Sequence, residues 1–186
     1  VTFTGSARVG WAIRQRAFTK RVTLELGGNA AVLIEPDADL EHAVSRCVSG
    51  GYLYAGQSCI STQRILVHES LYEAFTDRLV AAVAALRTGD PMEESTAVGP
   101  MIDATSAARA VEWIAEAISA GARLAVGGAR EGAVLQPTVL LGTTGRMRVN
   151  CEEVFAPVTT VRPYADFDAA LAEVNDSPYG IQTGLF

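Results

Sequence analysis

Cys59 lies in the run Tyr54-Ala55-Gly56-Gln57-Ser58-Cys59-Ile60-Ser61, just after a glycine-rich bend and just before a strand-like segment. A cysteine so placed can present its sulfur and a free backbone N–H side by side. That suits a thiolate nucleophile that must also stabilise an oxyanion. The competing reading is a small packed residue, the usual fate of a free thiol. Glu25 closes an alternating segment and has Gly27 and Gly28 beside it. A carboxylate at a strand end can act as a general base, and glycines admit a flat ligand or a second backbone. The competing reading is a surface glutamate on an edge strand. Glu152 and Glu153, followed by Val154-Phe155-Ala156-Pro157, set two carboxylates next to an aromatic ring. A carboxylate can accept both hydroxyls of a ribose while a ring covers an aromatic face. Taken alone, the run also reads as an acidic loop.

These residues need elements to position them. Residues 1–3 read as a short strand entering the turn Thr4-Gly5-Ser6, with a helix over 9–17 behind it. A strand, a glycine turn and a helix N-terminus together favour an anion, because unpaired N–H groups point outward there. Residues 21–26 alternate as a strand, and 30–34 form an apolar, β-branched run expected to be a buried one. Asp37 or Asp39 caps a helix over 40–50. A strand over 64–68 and an amphipathic helix over 70–87 follow, the helix carrying Leu71, Phe75, Leu79, Val83 and Leu86 on one stripe. A second long helix is expected over 103–120, ended by Gly121. Strands are expected over 124–126, 134–141 and 158–164, a helix over 166–174, and a last strand in GIQTGLF. The alternation predicts an α/β fold with a largely parallel sheet flanked by helices.

Composition narrows the chemistry. The 186 residues are 49% hydrophobic and 19% charged, enough for a real core and too apolar for disorder. The net charge of −6 argues against a nucleic-acid partner, whose phosphates need clustered Lys and Arg. Lys20 is the only lysine, so amine chemistry has one candidate at most. Neither a membrane span nor a signal peptide is read in the sequence. Three scattered cysteines, Cys47, Cys59 and Cys151, suggest neither a disulfide framework nor a metal site. Cytoplasmic, reduced and metal-free is the expectation. Val1 comes first and Met92 is the first methionine, so the chain is expected to be part of a longer protein.

Five separated segments together resemble the aldehyde dehydrogenase superfamily. They are Phe3-Thr4-Gly5-Ser6 with Gly10 behind it, Glu25-Leu26-Gly27-Gly28, Gly56-Gln57-Ser58-Cys59, Glu153-Val154-Phe155-Ala156-Pro157, and Asn175-Asp176-Ser177-Pro178-Tyr179-Gly180. The resemblance implies a catalytic-domain fold over 27–186, with the last strand and helix of a dinucleotide-binding domain over 1–26. It implies that Cys59 attacks an aldehyde carbon and that Glu25 activates the water that hydrolyses the resulting thioester to a free acid. It also implies an NAD or NADP cofactor. Gly5 and Ser6 would lie at its pyrophosphate, Val9 near its adenine, and Leu26 and Gly27 beside the nicotinamide. Glu153 would hold ribose hydroxyls, with Phe155 near the ring. Ala7 stands where many members carry Thr, and Ala156 where many carry Gly. Arg8 reads either as a 2′-phosphate contact or as a solvated side chain.

In the family an asparagine donor to the oxyanion and a lysine at the adenosine ribose lie upstream of the segment matched by Val1. The isolated chain is therefore expected to show little dehydrogenase activity, and the full-length protein to be a homodimer or homotetramer. Two other readings stay open. One is a cysteine hydrolase pairing Cys59 with His68 or His42; the other is a non-catalytic scaffold that keeps the fold.

Overall fold

The computed structural model describes residues 1–186. The chain begins with β1 (Thr2–Thr4), α1 (Ala7–Arg16) and β2 (Thr23–Glu25), and the two strands pair in parallel as a sheet of their own. Helix α1 starts two residues before the expected Val9, with Ser6 as its extended N-cap.

The next elements are β3 (Ala30–Ile34), α2 (Leu40–Tyr52), β4 (Thr62–His68), α3 (Tyr72–Ala84) and α4 (Ala104–Ser119). Asp39 rather than Asp37 caps α2, accepting the His42 N–H, and Asp103 caps α4 through the Ser106 N–H. Then come β5 (Arg123–Val126), the hairpin β6 (Arg130–Glu131) and β7 (Val134–Leu135), β8 (Thr138–Leu141) and α5 (Arg148–Cys151). The chain closes with β9 (Val158–Tyr164), α6 (Phe167–Asn175) and β10 (Thr183–Leu185).

One expected element divides. The strand read over 134–141 becomes β7 and β8, because Pro137 between them has no N–H for a ladder. β7 pairs antiparallel with β6 instead. The short helix α5, ahead of the glutamate pair, was not anticipated from the sequence.

The main sheet has six strands in the order β10-β3-β4-β9-β8-β5. All neighbours run parallel except β5, an antiparallel edge strand. Helices cover both faces, as the period of two in the strands requires. Val32 and Ile34 of β3 join Phe75, Leu79 and Val83 of α3 in a core of 30 buried residues. Ala31 and Leu33 point the other way, to Ala170 and Val174 of α6. No helix is long and apolar enough to cross a membrane.

Candidate active site

Cys59 is positioned by the way α2 ends. The Tyr52 side chain is fully buried, and its hydroxyl meets the Thr138 carbonyl at 3.0 Å and Thr159 Oγ1 at 2.7 Å. The chain then leaves the helix through a short 3-10 turn in which Tyr54 and Ala55 take left-handed φ of 53° and 55°. Gly56 follows at φ 67°, and a Cβ there would lie 2.1 Å from the Ala156 carbonyl, so only glycine fits. On the far side of the turn Ser61 Oγ donates to the Gly50 and Gly51 carbonyls, both at 3.3 Å. The Gln57 amide spans the same turn, donating to the Tyr54 carbonyl and accepting the Ile102 N–H at 2.8 Å. Cys59 is left half-buried, and its own N–H finds no acceptor within the chain.

A cleft of about 820 Å³ opens beside it. Its walls bring together Gly5, Ser6, Glu25, Leu26, Gly27, Cys59, Glu153 and Phe155, eight of the residues singled out from sequence. Val9 and Gly10 do not line it. Val9 lies exposed on α1, and Gly10 is buried under Leu26, whose Cδ2 would come within 2.4 Å of a Cβ there. Gly10 lets α1 lie close over Leu26, a packing role.

Glu25 ends β2, and its carbonyl accepts the Gly5 N–H at 3.0 Å, which joins the two N-terminal segments at the cleft wall. Opposite them, Glu153 Oε1 accepts the Gly28 N–H at 2.8 Å. A Cβ on Gly27 would lie 2.1 Å from Glu153 Oε2, and one on Gly28 would lie 2.0 Å from the Cys59 carbonyl. The two glycines therefore let three segments meet: the end of β2, the Cys59 turn and the Glu153 loop. Burial pushes the Glu153 carboxyl above its ordinary pKa, against the opposing pull of the Gly28 N–H and the Arg109 charge.

The cleft suits a dinucleotide by its donors. The Val9 and Gly10 N–H groups both reach the Ser6 carbonyl, while those of Ala7 and Arg8 have no acceptor in the chain and Ser6 Oγ makes no capping bond, which leaves two N–H groups and a hydroxyl free for a phosphate. Arg8 adds positive charge at this wall, and Arg109 adds it on the opposite one. Glu153 and Phe155 supply a carboxylate and a ring across from them.

Neither histidine belongs to this site. His68 closes β4, about 20 Å of strand beyond the Cys59 turn, and its Nδ1 pairs with Ser70 Oγ at 2.8 Å. His42 sits in the first turn of α2 against Phe186. The thiol–imidazole contact that a cysteine hydrolase needs is absent. Cys47 is buried within α2, while Cys151 ends α5 outside the cleft.

Sequence reasoning missed Arg109, Trp113 and the role of Tyr179. All three line the cleft, and the Tyr179 hydroxyl accepts the Glu153 N–H at 3.2 Å. Arg109 and Trp113 are one helical turn apart, a signal indistinguishable in sequence from an ordinary surface pair.

Fold and cleft together define an α/β protein that presents one thiol, the carboxylates of Glu25, Glu152 and Glu153, and the N-terminal end of α1 to a common space. The aldehyde dehydrogenase family model matches residues 1–186, and the chain belongs to that family. It is 45% identical over 185 residues to 3-sulfolactaldehyde dehydrogenase of Priestia megaterium, matching all of this chain and 39% of that protein. The chain thus spans about two fifths of the length of the curated relatives it matches. Aldehyde dehydrogenase 21 of Physcomitrella patens, solved with the reaction product succinate, superposes with a TM-score of 0.96 at 42% identity; the match covers 100% of this chain and 39% of that one. The Mycobacterium tuberculosis aldehyde dehydrogenase complexed with NAD+ gives 0.96 at 38%, covering 100% and 40%.

Proposed function

We propose that the whole protein oxidises an aldehyde to a carboxylic acid with NAD or NADP, and that Cys59 and Glu25 carry the chemistry. The supporting observation is that one cleft is lined by Cys59, Glu25 and the free N-terminus of α1 together. The Cys59 thiolate adds to the aldehyde carbon, forming a C–S bond and a thiohemiacetal oxyanion within reach of the unpaired Cys59 N–H. The cofactor supplies a hydride acceptor, held by Gly5, Ser6, Leu26, Gly27, Glu153 and Phe155. Loss of hydride from the thiohemiacetal carbon leaves a thioester on Cys59. Glu25 then takes a proton from water as the water attacks the thioester carbon, and the C–S bond breaks to release acid and thiolate. Without such a base the acyl group would wait for another acceptor, so Glu25 favours hydrolysis.

In this reading residues 1–26 close the dinucleotide-binding domain and residues 27–186 form most of the catalytic domain. The whole protein is a cytoplasmic homodimer or homotetramer, acting on a small-molecule aldehyde without nucleic-acid or membrane partners. The test is NADH or NADPH formation by the whole protein across a panel of small polar aldehydes. Activity abolished by Cys59→Ala and retained in Cys47→Ala is the expected result. Dinucleotide binding without turnover on any aldehyde would favour the scaffold reading instead.

A further inference from the structure

The loop Glu153-Val154-Phe155 has no helix or strand to fix it, yet it must keep an unusual path. Phe155 holds φ at +51°, a left-handed conformation that costs a side-chain-bearing residue free energy, and its ring remains partly exposed at the cleft. Something outside the loop must hold that shape. Three side chains bond its backbone. Tyr179 accepts the Glu153 N–H at 3.2 Å, Gln63 accepts the Val154 N–H at 3.0 Å, and Arg109 Nη2 donates to the Val154 carbonyl at 2.8 Å.

Arg109 is the member of this set with a further support. Its guanidinium lies 4.9 Å from the centroid of Trp113, one turn along α4, and that indole is 4% exposed. A second guanidinium, that of Arg148, lies over the same ring at 4.1 Å and is itself tied to Glu116 and Glu152. Trp113 Nε1 has no hydrogen-bond partner, so the ring is placed by packing and cation–π contact alone. A guanidinium can lie flat on an indole while one edge N–H donates in its plane; an ammonium cannot do both.

We propose that Arg109, seated on Trp113, is a positioning residue for the cofactor loop: it holds the Val154 carbonyl so that Phe155 keeps its left-handed turn and Glu153 and Phe155 face the cleft. The inference rests on the reading of the cleft as a dinucleotide site, but its first readout needs no ligand. In the whole protein without cofactor, amide hydrogen exchange over residues 153–156 is expected to quicken several-fold in Arg109→Lys and Arg109→Met alike, with exchange over β4 unchanged.

The functional readout is the NAD+ dissociation constant, expected to rise about tenfold in both variants. The rate of Cys59 alkylation by iodoacetamide should stay within twofold of wild type. A general loss of folding would move β4 exchange and Cys59 alkylation as well; Trp113→Leu, which removes the aromatic seat but leaves Arg109 in place, should then show the loop effect with β4 exchange unchanged. Unchanged loop exchange in Arg109→Lys would overturn the proposal, whether or not affinity falls, because any loss would then come from direct contact with the ligand. A wild-type protein that binds neither NAD+ nor NADP+ would overturn the functional reading, while the exchange result would still decide whether Arg109 holds the loop.

Discussion

The two walls of the cleft are built on different principles. In residues 1–26 only Gly10 is buried, and Trp11 and Phe18 are 50% and 84% exposed. Within these 186 residues that wall is two three-residue strands and one helix, lying outside the two buried clusters. The wall from residue 27 onward rests on a six-stranded sheet and a cluster of 30 buried residues. The proposed nucleophile, Cys59, stands on the second wall, at a turn locked by Tyr52, Ser61 and a glycine that no other residue can replace. The proposed general base stands on the first. Strain of the kind at Tyr54 and Ala55 is tolerated only where surrounding packing over-determines the backbone, so the thiol belongs on the rigid wall.

That difference is open to direct challenge. Phe75→Ala, in the centre of the rigid wall, is expected to lower folding stability by about 3–5 kcal/mol, as a cavity in a close-packed core does. In the 186-residue chain, Trp11→Ala removes a larger side chain from the other wall and should change stability by no more than about 0.5 kcal/mol. Chemical denaturation of both variants checks the pair, and equal losses would show that residues 1–26 share the core after all.

A smaller effect separates two cysteines twelve positions apart on the same wall. Burial pushes the Cys47 thiol up to about 12, which leaves only about one thiolate in ten thousand at pH 8. Iodoacetamide at that pH should label Cys59 and the exposed Cys151 but not Cys47, as read by peptide mass mapping.

The smallest effect concerns Glu153. Its folded-state pKa is raised, so its contribution to stability is fully present below the unfolded carboxylate value and is lost as pH rises through the raised one. Glu153→Gln, which stays neutral and still accepts the Gly28 N–H, should therefore raise the unfolding midpoint slightly at pH 7. The gain should vanish as the pH falls below about 4.

Much of the rigid wall was legible in the sequence, because burial leaves periodic signals. The runs at 30–34 and 158–164 became β3 and β9 over those same residues, and Phe75, Leu79 and Val83 are all buried. Pro137 was equally visible, yet the apolar pattern around it masked its effect on the ladder. The cleft lining was legible through the ordered motifs that carry the family resemblance, which place Cys59, Glu25, Gly5 and Gly27 around one space. It was not legible where long-range packing does the work. Nothing local marks Tyr54 and Ala55 as left-handed, since that conformation follows from where Tyr52 is buried and where the Ala156 carbonyl lies. Arg109 and Tyr179 reach the Glu153 loop across 45 and 26 residues of chain, distances over which no motif speaks.

The central claim is that Cys59 carries the acyl group and Glu25 removes it. The most direct measurement is intact and peptide mass spectrometry of the Glu25→Gln whole protein after incubation with cofactor and an aldehyde that the wild type turns over. An acyl adduct is expected to accumulate on the peptide containing Cys59 and to be discharged by hydroxylamine. An adduct on Cys47 or Cys151, or Glu25→Gln turning over at the wild-type rate with no adduct, would contradict it.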